Sequence, residues 1–203
     1  MKRVCVALAA ALALAAGCAT PPKPSGEELA DACALLSENK SWYKAMRAAQ
    51  KEWGAPVGYQ LAVIRQESGF DAKARPERQG GFLFLPGKRP SSAFGYAQAL
   101  DATWRTYQDE TGNGGADRHS FRDSADFIGW YFSQTARMTR LKPTNFKGHY
   151  LAYHEGQNGY LRGTWKKKKW LVQSAERVAA NASTYERQVK GCKALKPKFL
   201  GLF

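Results

Sequence analysis

The chain has 203 residues, of which 44% are hydrophobic and 12% aromatic, enough apolar mass to fill the core of one ordinary domain and to exclude a disordered polymer. Lys and Arg number 31 against 17 Asp and Glu, a formal net charge of +14. That surplus favours anionic partners such as nucleic acid, lipid head groups or acidic polysaccharide, and charge alone does not choose among them.

In chain order, the first signal is an export segment. Lys2 and Arg3 precede an uncharged, Ala/Leu-dominated run from Val4 to Ala16, the layout of a secretory signal peptide and too short to span a bilayer as a helix. Its end, Leu14-Ala15-Ala16-Gly17-Cys18, resembles a bacterial lipobox, which implies cleavage before Cys18 and a diacylglyceryl thioether on that residue. Ala19 stands where an Asp commonly holds lipoproteins at the inner membrane, so the resemblance implies the periplasm and the inner face of an outer membrane. The alternative is cleavage at Ala13-Leu14-Ala15 and a soluble exported protein. Thr20 to Gly26, with Pro21, Pro22 and Pro24, can hold neither helix nor sheet and reads as a tether. The expected division is thus 1–17 signal peptide, 18–27 lipidated N-terminus and tether, and 28–203 one domain. Setting aside Cys5 in the signal and Cys18 as the anchor leaves Cys33 and Cys192, one near each end of that domain. An oxidising periplasm lets them pair, and one structural disulfide is expected, with two buried free thiols as the alternative.

Beyond the tether the signals are helical. Ser41 is a plausible N-cap for a segment ending at Gly54, Pro56 opens another that stops at Gly69, and Asp101 opens a third that ends by Gly112. Asp123 starts a long one running to Leu141 before Pro143, Thr144 can cap a segment reaching Tyr153, and a final helix runs from about Trp170 to about Lys190. Two stretches interrupt the pattern: Arg75 to Ser92, rich in Gly, Pro and Arg around an apolar Phe82-Leu83-Phe84-Leu85, and Gly112 to Ser120. The first is long enough to be functional, as a small hairpin or flap over a groove, or else a surface excursion pinned by a hydrophobic plug. No alternating strand run or internal repeat stands out, so the expected fold is all-α, or mainly α: a single globular domain with a long irregular loop insertion.

Within the segment after Pro56, Tyr59, Val63, Ile64 and Glu67 stand at i, i+4, i+5 and i+8, so a carboxylate ends an apolar stripe. Partial burial there, near the negative end of the helix dipole, disfavours the ionised form and predicts a raised pKa. A carboxylic acid still protonated near neutral pH can protonate a departing glycosidic oxygen. On spacing alone the blander reading, a Glu reaching solvent from a helix end, is the stronger one.

The company Glu67 keeps overturns that preference. Glu67-Ser68-Gly69-Phe70 is followed by Gly95-Tyr96-Ala97-Gln98, then by Ala152-Tyr153-His154-Glu155-Gly156, and finally by Tyr185 in the last helix. These four, in this order, resemble the lysozyme-like lytic transglycosylases of the soluble (SLT) type, whose patterns are Glu-Ser with a nearby aromatic, Gly-Leu-Met-Gln, Ala-Tyr-Asn-x-Gly and a late Tyr. The resemblance covers roughly Trp53 to Val189. It implies a lysozyme-like fold, no metal or organic cofactor, and the glycan strands of peptidoglycan as partner. Glu67 looks like the single catalytic residue, and Ser68 like a hydroxyl that orients it or the substrate. Gly95, Tyr96 and Gln98 look like the wall of the sugar groove. Tyr153 and Tyr185 resemble the aromatic pair that shapes the catalytic subsite, with the Tyr185 hydroxyl near the Glu67 carboxyl. The implied reaction cleaves the bond between N-acetylmuramic acid and N-acetylglucosamine without water, closing the muramic 6-hydroxyl onto its own C1 to leave a 1,6-anhydro end. Two-carboxylate glycosidases need a second Asp or Glu. Asp71, Asp101 and Glu155 remain possible partners, which keeps open a hydrolytic lysozyme of the same fold, and beside it a non-catalytic wall-binding protein.

The departures from the family patterns matter too. His154 stands where the pattern has Asn; an imidazole can still donate one hydrogen bond to a sugar, and the alternative is a core histidine satisfied by backbone. Tyr96-Ala97 replaces Leu-Met, which changes the groove wall. His154 to Asn158 lacks the second His of a zincin helix, and Asp109 to Ser120 has Thr111 and Ser120 where a calcium loop needs carboxylates, so no metal is expected. Lys166 to Lys169 reads as a solvated face, or as an attraction to peptide carboxylates or anionic lipid. Trp104, Trp130 and Trp165 could stack on sugars but at helical spacing are more often core. The export signal and the lack of a recognised binding motif argue against nucleic acid, and a monomer is expected, joined to a membrane through its lipid anchor.

Overall fold

The computed structural model describes residues 23–82 and 85–196; the signal segment, Cys18, the tether up to Pro22, Leu83, Phe84 and the residues from 197 onward lie outside them. The described residues form eight α-helices and one antiparallel hairpin: α1 (Ala32–Glu38), α2 (Lys40–Trp53), α3 (Val57–Ser68), β1 (Gln79–Phe82), β2 (Leu85–Lys88), α4 (Asp101–Thr111), α5 (Phe121–Thr139), α6 (Phe146–Glu155), α7 (Gln157–Arg162) and α8 (Lys169–Gly191). The fold is mainly α, as expected.

α3 is the centre of the molecule. Every residue from Val57 to Ile64 is buried, so the apolar stripe read from the sequence is part of a helix enclosed on all sides until its last turn. α8 crosses it so closely that a Cβ on Gly58 would lie 2.5 Å from the Glu186 backbone nitrogen and 2.6 Å from the Ala182 carbonyl oxygen. The Glu186 carboxylate accepts from the Gly58 amide at 3.0 Å, placing negative charge on the first turn of α3, where the helix dipole favours it. α6 also packs on α8, and α2 on α5. Trp42 of α2 stacks with both Phe70 and Phe121, its ring centroid 5.3 and 4.4 Å from theirs. Trp104 and Trp130 are buried in a second aromatic layer with Tyr107 and Phe127, the core role that helical spacing favours. Trp165 is half-buried and donates from its ring nitrogen to the Tyr160 carbonyl.

The helix starts differ from the sequence reading by one to two residues, each for a local reason. Asn39, with φ −105° and ψ 61°, separates α1 from α2, so Ser41 lies inside α2 and caps nothing. Ser120 accepts from the Asp123 amide and starts α5 at Phe121; Asp123 sits inside the first turn, its carboxylate taken by the Asp117 amide and Arg122. Asn145, in place of Thr144, caps α6 through the Gly148 amide. Gly156, at φ 73° and ψ 155°, parts α6 from the short α7. The insertion contains a hairpin, with Gln79 opposite Lys88 and Gly81 opposite Pro86. A Cβ on Gly87 would meet the Gly80 carbonyl oxygen at 1.5 Å, so the two strands approach only because that position is glycine. Cys33 and Cys192 form a disulfide with Cα atoms 5.4 Å apart, tying α1 to the end of α8 across 159 residues of sequence.

Candidate active site

Glu67 stands in the last turn of α3, where the helix emerges from the core. The chain then turns at once: Gly69 closes α3 at φ 53° and Phe70 follows at φ 66°, a left-handed conformation that costs a bulky residue energy. Stacking of the buried Phe70 ring on Trp42 opposes that cost. Gln98 is also left-handed, at φ 48°, and its side-chain amide donates to the carbonyls of Ala74 and Gly95, both at 2.9 Å. The two strained segments are joined by Ser68, whose hydroxyl has the Ile64 and Tyr96 carbonyl oxygens as acceptors at 3.1 and 3.0 Å. Ser68 therefore fastens the wall segment to α3, and its proton is spent on backbone instead of on Glu67. Gly95, at φ 73°, lies so near Arg118 that a Cβ would be 2.1 Å from its carbonyl oxygen. Its place in the wall is a backbone requirement.

Glu67 is half-buried, and burial pushes its carboxyl up from 4.5 to about 7, opposed by one hydrogen bond from the Tyr150 hydroxyl to Glu67 Oε1 at 2.9 Å. The charge of Glu67 in turn helps raise the phenols of Tyr59, Tyr150 and Tyr153, though burial is the larger cause in each. A carboxyl poised near neutrality among aromatic neighbours is suited to give a proton and to take one back.

Two of the tyrosine assignments need correction. The hydroxyl beside Glu67 belongs to Tyr150 and not to Tyr185. Tyr185 donates to the Leu29 carbonyl at 2.7 Å and accepts from the Arg65 guanidinium. Arg65 and Glu67 are two residues apart, about 200° around a helix, so the face that meets Tyr185 points away from the acid. Tyr150 lies three residues before Tyr153, hence on the same face of α6, and that spacing was the available signal. Tyr96 is the second correction: its ring is only 1% exposed and packs edge-on against Trp42 and Phe121, so it supports the wall from inside the core and presents no face to a sugar.

Beside these residues runs a cleft of about 250 Å³, with Gln98, Ala99 and Leu100 on the wall segment and Tyr131, Tyr153 and His154 opposite. Glu67 does not line it directly. Tyr153, which does, lies nearly parallel to Tyr150 and donates to the Ala97 carbonyl at 2.6 Å, bracing α6 against the wall. His154 is exposed at the cleft, with Nδ1 3.1 Å from Glu155 Oε1 and its ring edge-on to Trp170. The core histidine is instead His149, stacked on Phe132 and kept below its ordinary pKa by burial, at about 4.

Of the possible second carboxylates, Asp101 and Glu155 are held in ion pairs, and Asp71 makes only a local contact with backbone. Asp71 accepts from the Lys73 amide at 2.7 Å, and Asp101 pairs with Arg118 at 2.7 Å. For Glu155, burial alone would raise the pKa, but Lys168 at 2.6 Å, the Thr164 hydroxyl at 2.5 Å and His154 outweigh it and hold the group at about 2. The Lys166 to Lys169 run is thus not purely a solvated face, since Lys168 neutralises Glu155.

A family model described as a transglycosylase SLT domain matches residues 6–192. No curated protein and no solved structure matches the chain.

Proposed function

The chain belongs to the transglycosylase SLT domain family, whose activity is lytic cleavage of peptidoglycan, and from that premise we propose that Glu67 performs the cleavage alone, leaving 1,6-anhydro-muramic ends. The observation that carries this is the raised acid: a half-buried carboxyl at about 7 with one phenol donor, while Asp101 and Glu155 are held in ion pairs. In the first step protonated Glu67 gives its proton to the glycosidic oxygen as the bond from that oxygen to C1 of the muramic sugar breaks. The sugar's own 2-acetamido group stabilises C1. In the second step the Glu67 carboxylate removes the proton of the muramic 6-hydroxyl as that oxygen bonds to C1. No water is consumed, and Glu67 ends protonated as it began. The Tyr150 hydroxyl steadies the carboxylate between the steps. Gln98, Tyr153 and His154 contact the glycan along the cleft, with His154 in the place of the usual asparagine amide.

Mass spectrometry of digested sacculi tests the product, because anhydro ends are lighter than reducing ends by one water. Reducing ends alone would make the protein a hydrolase of the same fold. Binding without cleavage, unchanged by Glu67→Gln, would make it a wall-binding protein. The proposed setting is the periplasm, with residues 1–17 removed, Cys18 lipidated at the inner face of an outer membrane, residues 18–27 as the tether and a monomeric domain from residue 28 onward. Palmitate labelling that survives Cys18→Ala would refute the anchor.

A further inference from the structure

A second cleft, of about 190 Å³, opens on the other side of the wall segment, at the base of the hairpin insertion. Its lining carries three guanidinium groups, from Arg75, Arg89 and Arg118, and the hydroxyls of Ser91 and Ser92, around the buried ring of Phe94. The guanidiniums are not equivalent. Arg118 is committed to the frame: it donates to the Ser92 and Ala99 carbonyls and pairs with Asp101, the one carboxylate of the lining. Arg89 spends one nitrogen on the Pro76 carbonyl. Arg75 lies over the Phe94 ring with its central carbon 4.2 Å from the centroid and, among the described residues, makes no hydrogen bond or ion pair. A guanidinium stacked this way keeps its in-plane N–H groups free for a planar acceptor. Ser91 and Ser92 each accept from a backbone amide, of Ala93 and of Asp101, which leaves both hydroxyl hydrogens to be given. The free hydrogen-bonding capacity of the cleft is therefore almost entirely donor, and its charge is positive once Asp101 is set against Arg118.

We propose that this cleft binds a carboxylate of the short peptide that branches from the muramic sugar, so that peptide-bearing strands are cut in preference to bare ones. The assignment rests on the glycan-cleaving role of the first cleft. Leu100 lines that cleft and Asp101 lines this one, so adjacent residues of one wall separate the two. An extended peptide of four or five residues reaches roughly 15 Å, ample to cross from a sugar on one side to the arginines on the other. The Gln98 and Gly95 bonds to the Ala74 carbonyl hold the start of the insertion to that wall, so the base of the insertion sets its arginines beside the sugar groove.

The test uses the full chain in detergent on two substrates: strands with their peptides, and the same strands stripped by an amidase. The parent should cut peptide-bearing strands with about tenfold higher kcat/KM, the order expected for one charge-assisted contact. Arg75→Gln and Arg89→Gln should each lose that advantage and keep the parent rate on stripped strands, which also shows that they fold. The free tetrapeptide, followed by NMR titration, should bind the parent and not Arg75→Gln. Inorganic phosphate at equal concentration should leave it bound, and anionic vesicles should sediment both proteins equally. Variants that match the parent on both strands and on the peptide overturn the proposal, as does an arginine dependence seen only with phosphate or vesicles. A parent that cuts neither strand refutes the glycan-cleaving role, while the peptide titration still decides what the second cleft binds.

Discussion

Replacing Glu67 with Gln separates the acid's chemistry from its cost to the fold. Burial raises the Glu67 carboxyl from 4.5 to about 7, so the native state holds this proton more tightly than the unfolded chain does. Below pH 4.5 both states are protonated and the full stability is present. As pH climbs through about 7 the native state must ionise a carboxyl in a poor setting, and stability is lost. The interval from 4.5 to about 7, at about 1.4 kcal/mol for each factor of ten in proton affinity, corresponds to about 3 kcal/mol. Water at the open side of Glu67 screens part of this, which brings the recoverable amount to between about 1 and 3 kcal/mol. Glutamine keeps the shape and an acceptor oxygen for Tyr150 but has no charge to bury. Denaturant unfolding should therefore give matching stabilities for parent and Glu67→Gln at pH 4, and a more stable variant at pH 8.5 by that amount. Lytic activity should meanwhile fall by about a thousandfold, the scale of a lost general acid. A variant whose stability relative to the parent is the same at both pH values, or lower at pH 8.5, would refute the reasoning that burial tunes this acid.

Three further outcomes follow. Tyr150→Phe removes the donor that steadies the Glu67 carboxylate, so the alkaline limb of kcat/KM should move upward from about 7 by about one pH unit, with a lower plateau; a limb that stays or moves to lower pH counts against the Tyr150 assignment. Cys33→Ala opens a link spanning 159 residues and should cost up to about 5 kcal/mol on the chain-entropy account, read as a lower denaturation midpoint that reductant no longer changes; a parent indifferent to reductant would contradict it. Gly95→Ala and Gly54→Ala compare two glycines at similar φ, 73° and 80°, one with a carbonyl oxygen 2.1 Å from the new Cβ and the other with open space. The first should lose at least about 2 kcal/mol more than the second in denaturant unfolding, and equal losses would mean that the wall yields freely.

What the sequence made legible tracks how local each signal is. Pro56, Gly54, Gly69 and Gly112 punctuate the chain by their own backbone preferences, and the ends of α2, α3 and α4 follow them closely. α1 and α7, of seven and six residues, are too short for a periodic pattern and owe their place to the disulfide and to packing beside α6. The hairpin is one of two readings of Arg75 to Ser92, and its strands could not be placed because they do not alternate; their close approach depends on Gly87, which no periodic pattern marks. Glu67 was found through its neighbours in sequence, whereas its hydroxyl partner was marked only by the three-residue spacing of Tyr150 and Tyr153, which shows a shared face of α6 but not what that face meets.

The placement of the acid and the strain around it have one origin. With eight consecutive residues buried, α3 has no room for a charge before its last turn, and there Arg65 and Glu67 leave the core on different faces. Arg65 goes to the Leu29 carbonyl and the Tyr185 hydroxyl, two polar acceptors on the face away from Glu67. Glu67 gets a single phenol and aromatic surroundings, which is why its proton is retained. For that carboxyl to stay reachable the chain cannot continue over it, and Gly69 and Phe70 turn it aside within two residues. The left-handed Phe70 is held by Trp42, and the left-handed Gln98 by the Ala74 and Gly95 carbonyls, so the cost of keeping the acid uncovered is carried by the core on one side and by the wall on the other.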